Sequence, residues 1–187
     1  MGKVISFEER AVATLRDRLG AAESANEDLI AFARGHSGAT ASIHAAVLAL
    51  MDADDVDGLF HVVTRIWPRI LGLDHVVLAL VADGAGFRVD RGAVETVERR
   101  LIDRAIEQVD GITMRTAQRG HALFGRDAGL VRSEAVILLP TDAPLPYGLL
   151  LLGQRAELCL DARHGAQLLG FLGDSLGAML RRCLTEH

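Results

Sequence analysis

Aromatic side chains are scarce in this chain: six Phe, one Trp and one Tyr among 187 residues. Any core must therefore be filled by Leu, Val, Ile and Ala, and with half of the residues apolar there are enough of them. Cysteine is nearly absent. Cys159 and Cys183 stand in no metal-binding or redox spacing, which leaves a reduced, cytoplasmic protein as the expectation. Basic residues do not dominate either: 20 Lys and Arg against 25 Asp and Glu give a formal charge of −5. Proteins that bind nucleic acid need clustered cations to replace phosphate counterions, so no nucleic-acid partner is expected. No apolar run approaches the roughly 20 residues that a membrane helix requires. The opening MGKVISFEER has no long apolar segment of the signal-peptide kind. No membrane partner is expected.

What the chain does contain begins with a periodic stripe. Val12, Leu15, Leu19, Ala22, Asn26, Leu29, Ala33, His36, Thr40, Ile43, Val47 and Leu50 follow one another in alternating steps of three and four. That is the seam of a coiled coil, weak in the middle, where Asn26 can fix register at a cost in stability. A helix continuous from about Phe7 to Met51 would be ~70 Å long, too long to bury its stripe on a small domain. The pattern predicts a long dimerising helix over residues 1–51 and a homodimer, with Leu15, Leu19, Ala22, Asn26, Leu29 and Ala33 at the interface. The competing reading breaks the helix at Gly35 and Gly38, each costing about 1 kcal/mol, into two helices that pack within the chain. His36 and His44 are eight residues apart, and no two histidines share the i, i+4 spacing of a helical metal site. No metal and no cofactor are assigned.

Residues 52–187 read as one globular domain. Asp52, Asp54, Asp55 and Asp57 suit the start of a helix and lack the glycine and glutamate of a calcium loop. Pro68 kinks or ends that helix and Gly72 closes it. His75–Ala82 is a strand, DGAG a turn, and Gly86–Asp90 a short strand. Val97, Leu101, Ile102, Ala105, Ile106 and Val109 mark an amphipathic helix. Ile112–Thr116 reads as a strand and Arg119–Ala128 as a loop. Ala135–Leu139 and Tyr147–Gly153 form a hairpin whose strands, apolar at almost every position, are covered on both faces. A last helix, capped by Asp161, carries Leu168, Leu169, Leu172, Leu176, Met179, Leu180 and Cys183. Its Gly170, Gly173 and Gly177 suggest close approach to another helix or ordinary packing. The expected class is α+β: an antiparallel sheet flanked by helices, with the long coiled-coil-like helix in front.

Four segments carry a family likeness: SIHAAVLAL (Ser42–Leu50), HALFG (His121–Gly125), RSEAVILLP (Arg132–Pro140) and YGLLLLG (Tyr147–Gly153). With these the chain resembles a bacterial GAF-like family, domain of unknown function 484, over nearly its whole length. It departs in two places. Met1 falls close to the helix start, where the family has a further short helix, and Leu158–Leu160 stand where Phe or Tyr is common. The resemblance implies a sensory or regulatory module that binds small molecules against one sheet face, dimerises through parallel helices and signals to a partner protein. With the final helix ending near His187, the output is expected to lie on another protein.

No nucleophile motif is present. Ser133 has no G-x-S-x-G elbow around it, neither cysteine has a reactive setting, and no phosphate loop occurs. An enzyme is not expected. The polar residues that would surround a GAF-like cavity are Arg88, Arg91, His121, Arg126, Arg132 and Ser133. Arginine forks suit the oxygens of an anionic metabolite or nucleotide. The competing reading pairs these arginines with Asp90, Asp127 and Glu134 on the surface. Two function classes follow: a ligand-sensing regulatory dimer, or a non-catalytic dimeric adaptor whose fold is filled by its own side chains.

Overall fold

The computed structural model describes residues 37–139, 147–157 and 162–185, together with Gly20 and Glu23. Two compact units are distinguished, Met1–Ala41 and Ser42–His187. In the first, Gly20, Glu23 and residues 37–41 are helical. Leu15, Leu19, Ala22, Asn26, Leu29 and Ala33, the expected interface, lie outside the described residues, as do Asp161 and Cys159.

The second unit opens with helix α1, residues 42–51. Ile43 and Leu50 of the periodic stripe are buried in this unit's own core, with Ala46 beside them and Val47 partly buried. Helix α2 (Val56–His61) starts where Asp55 accepts a hydrogen bond from the Gly58 N–H at 2.7 Å, as the acidic cluster foretold. The helical run then widens into a π turn over Val62–Ile66 and continues as α3 (Trp67–Leu71). Pro68 explains the widening. Proline offers no N–H and its ring collides with the carbonyl four residues back, and a wider turn relieves both problems. Gly72 ends the run in the left-handed conformation at φ 65°.

Six strands follow in one antiparallel sheet: β1 (His75–Ala82), β2 (Ala85–Asp90), β3 (Ala93–Val97), β4 (Ile112–Thr116), β5 (Ser133–Leu139) and β6 (Tyr147–Gln154). Their spatial order is β3-β2-β1-β6-β5-β4, so β1 and β6 lie in the middle. Helix α4 (Arg99–Glu107) follows β3, a 3₁₀ segment (Ala122–Gly129) precedes β5, and α5 (Ala162–Thr185) ends the described chain.

The sheet separates two cores. Val76, Leu78 and Leu80 of β1 face α1, α2, α3 and α5, together with Leu150 and Leu152 of β6. Val77, Ala79 and Val81 face α4 and the 3₁₀ segment, with Leu149 and Leu151. Trp67, fully buried on the first side, donates its indole N–H to the Ala46 carbonyl at 2.9 Å and so ties α3 to α1.

Two readings need correction. Val97 does not begin the amphipathic helix; it ends β3, a strand the sequence had not revealed, and the helix starts at Arg99. The β2–β3 turn is Arg91-Gly92, both residues at positive φ (49° and 77°), as a type I′ hairpin requires. Arginine in the first turn position hides the Asn-Gly signal. The segment read as a loop at Arg119–Ala128 contains the 3₁₀ turns, broken at Gly125. Gly170 and Gly173 of α5 let the sheet come close. A Cβ on Gly173 would come within 2.7 Å of Ile137 Cγ2, and one on Gly170 within 3.4 Å of Ile112 Cδ1.

Gly148 tests this packing. A Cβ there would collide with the backbone carbonyl of Ala79 on the neighbouring strand. Gly148→Ala should lower stability by roughly 3 kcal/mol, beyond the usual cost of extra methyls, because the obstacle is backbone. Urea unfolding of the two proteins would show the difference as a lowered midpoint with an unchanged slope.

Candidate functional site on the second sheet face

The alternation of β1–β6 sends a row of polar side chains to the same face as Val77 and Leu149. They are His75, Arg88, Glu95, Arg115 and Glu134. The 3₁₀ segment lies over this face and adds His121, Phe124, Gly125 and Asp127.

Glu134 is the most buried charge, with 0 % of its side chain exposed. Cross-strand register sets it beside Arg115, whose Nε donates to Oε1 at 2.6 Å. Its Oε2 accepts the backbone N–H of His121 at 2.6 Å. Charge-assisted bonds of this kind hold a buried carboxylate in place. They also fix the start of the 3₁₀ segment. There His121 accepts the Leu123 N–H through Nδ1 at 3.1 Å, so that nitrogen must be unprotonated. Burial lowers the His121 pKa below its usual 6.5, with Glu134 opposing and Arg115 adding to the shift.

Arg88 meets Glu95 directly across the β2–β3 ladder, Nη2 to Oε2 at 2.5 Å. Its guanidinium rests on Gly125, where any Cβ would overlap Nη1. Gly125 also holds φ 60°, ψ −123°, a conformation that favours glycine. Arg91 pairs with Asp127 at 2.5 Å, and the same carboxylate oxygen lies 3.5 Å from Nδ1 of buried His75. Arg132 braces its own loop by donating to the carbonyls of Gln118, Gly129 and Val131. Ser133 donates to the Ala156 carbonyl. Arg126 is exposed.

The six sequence candidates are therefore not one cluster. Arg88 and Arg91 come together under the 3₁₀ segment through Gly125 and Asp127. His121 and Ser133 sit at the β4–β5 side, and Arg132 faces its own loop. Sequence reasoning missed His75, Glu95 and Arg115. The signal for His75 was present: it shares the odd-numbered face with Val77, Ala79 and Val81, a polar group at an inward position.

Among these groups, two buried nitrogens have no hydrogen-bond partner, Nε2 of His75 and Nε of Arg88. The rest of the face is occupied. Phe124, 1 % exposed, packs against Gly153, where a Cβ would stand 2.9 Å from its Cε1. Leu123, Ile102, Leu149 and Leu151 are fully buried around it. The arrangement can hold a loop rigidly. On the α4 side Tyr147 donates its hydroxyl to the Asp103 carboxylate at 2.9 Å, and Cys183 is buried in the core on the opposite face.

An antiparallel sheet with helices and a connecting segment on its two faces defines a GAF-like domain, and comparison with solved structures agrees. The chain is similar to the free methionine-R-sulfoxide reductase of Neisseria meningitidis, solved with its substrate, at 15% identity and a TM-score of 0.58, covering 78% of this chain and 89% of that one. It is similar to a GAF domain attributed to a sensor histidine kinase of Pseudomonas syringae pv. tomato, at 10% identity and TM-score 0.53, covering 84% and 95%. The chromophore-binding domain of a Stigmatella aurantiaca bacteriophytochrome matches at 15% identity and TM-score 0.53, covering 75% of this chain and 59% of that one. At these identities the likeness is one of fold. The chain belongs to the family described as protein of unknown function, DUF484, whose model matches residues 1–184. No curated protein matches it in sequence. Among the described residues no helix is long and apolar enough to cross a membrane.

Two outcomes are expected at this face. Glu134→Ala leaves the Arg115 guanidinium and the His121 N–H without their acceptor and should cost roughly 3 kcal/mol in chemical denaturation. His121 makes stability pH-dependent. Its pKa is lower folded than unfolded, so the unfolded chain binds more protons below about pH 6.5. Stability should fall as pH drops through 6.5 towards the folded value and level off below it. His121→Asn, measured by thermal melts between pH 5 and 8, should flatten that slope; an unchanged slope would assign it to other groups.

Proposed function

We propose that the chain is a non-catalytic, cytoplasmic regulatory module of GAF-like fold. It pairs with a second copy through the segment before Ser42 and acts by contact with a partner protein. In this reading it holds no ligand inside the fold. The observation that supports it best is the filled sheet face. Where a ligand would sit against β1 and β6, Phe124 rests on Gly153, with Leu123 and Ile102 buried alongside. The arginines that could have met an anion there are engaged with Glu95, Asp127 and backbone carbonyls. Against catalysis stand a buried Cys183 and a Ser133 hydroxyl bonded to a carbonyl.

A second reading, a sensor whose small anionic ligand sits beside Arg88, is favoured by the unpartnered Arg88 Nε and His75 Nε2. The dimer rests on the periodic seam of Leu15 to Ala33.

Light scattering on the full chain should give twice the chain mass, and Leu15→Asp with Leu29→Asp should halve it. Neither free methionine sulfoxide nor biliverdin should raise the melting temperature, and no reduction of the sulfoxide should occur. A concentration-independent monomer, turnover, or stabilisation by either compound would contradict the reading.

A further inference from the structure

Among the described residues, three arginines come together around one groove beside the sheet face. An open groove of about 560 Å³ is lined by His61, Arg65, Arg69, Arg91 and Gly92. Three of these five lining residues are arginines, although the chain as a whole carries a charge of −5. One wall is the helical run α2–α3. The other is the Arg91-Gly92 turn of the β2–β3 hairpin.

The two walls are fixed to each other. Arg65 Nε donates to the Arg91 carbonyl at 2.6 Å, and the Gly92 N–H donates to Thr64 Oγ1 at 2.7 Å. Both bonds reach into the π turn that Pro68 imposes, so the irregularity in the helix positions one side of the groove. On the other side Arg91 occupies a positive-φ position where Asn or Gly would be cheaper by about 1 kcal/mol. Its guanidinium is held by Asp127 through Nη2, and the side chain is 59% exposed. Arg65 and Arg91 are thus ordered before anything binds, which reduces the entropy lost on binding. Arg69 is exposed and makes no contact that the fold uses.

We propose that this groove binds a small, multiply charged anion of the phosphate type, a phosphorylated metabolite or nucleoside phosphate. Three guanidinium forks match phosphate oxygens in pairs, which ammonium groups do not. The volume falls in the range of small-molecule sites. With His, Arg and Gly as its lining residues the groove offers no pocket for the buried apolar anchors that give a peptide its affinity. The groove shares only Arg91 with the sheet-face row, so an interior without ligand is compatible with it.

Isothermal titration of the full chain with inorganic pyrophosphate at low salt tests the proposal. Binding is expected at one site per chain, weakening as salt is raised. Arg69→Ser should reduce affinity about tenfold with an unchanged melting temperature. Arg69→Lys should recover only part of it. Arg91→Asn, which keeps the turn, should also weaken binding. Arg100→Ser, on the exposed side of α4, should leave it unchanged. Absence of binding, equal loss in Arg100→Ser, tighter binding of citrate than pyrophosphate, or tighter binding of an oligoglutamate peptide would each overturn the assignment. None of these results bears on whether the sheet face is filled or the chain dimeric, which the preceding measurements read separately.

Discussion

The middle of the sheet is apolar on both faces, and the rest of the molecule follows from having to cover it twice. β1 and β6 are buried along nearly their whole length, and their pairing from His75–Gly153 to Val81–Tyr147 sets the register of everything beside them. One face takes the helices from both ends of the second unit. Among the described residues the other is covered by a nine-residue helix and a 3₁₀ segment. A cover so slight leaves the side chains of the segment itself to complete the packing. Phe124 does so, and Gly153 beneath it is the residue that lets an aromatic ring come so close.

The same constraint governs the charges. A segment lying over an apolar face carries backbone N–H groups that need acceptors. Glu134 supplies one from within the sheet, and Arg115 balances its charge. Arg88 and Asp127 anchor the other end of the segment through Gly125 and Arg91. Arginines that in sequence resemble a binding constellation are, in the folded chain, the fastenings of this cover. Arg69 on the helical run lies apart from these fastenings, and beside it Arg65 braces the hairpin turn through the Arg91 carbonyl.

Much of the fold was legible because two physical signals are local. Uninterrupted apolar runs marked β1, β5 and β6 to within two residues, and capping chemistry marked Asp55 and Gly72. β3 escaped because AVETV is exposed at almost every position and bears no core-facing alternation. Its turn also uses arginine where Asn would have announced it. The α5 glycines showed that something comes close, and only the structure shows that it is Ile112 and Ile137. The site was less legible. Residue types identified Arg88, Arg91 and His121, but whether a guanidinium is free or engaged depends on partners far off in sequence, such as Asp127 for Arg91. The groove residues His61, Arg65 and Arg69 look like the solvated side of a helix until the hairpin turn is brought against them.

The central claim is that the second face is closed by the protein's own side chains, and Phe124 is where it can be measured. If the ring fills space that nothing else fills, Phe124→Ala should lower the unfolding free energy by about 3–5 kcal/mol, the cost of an aromatic-sized cavity. If the ring instead covers a ligand site with room to spare, the same substitution should cost less than about 1 kcal/mol, and the account would be wrong.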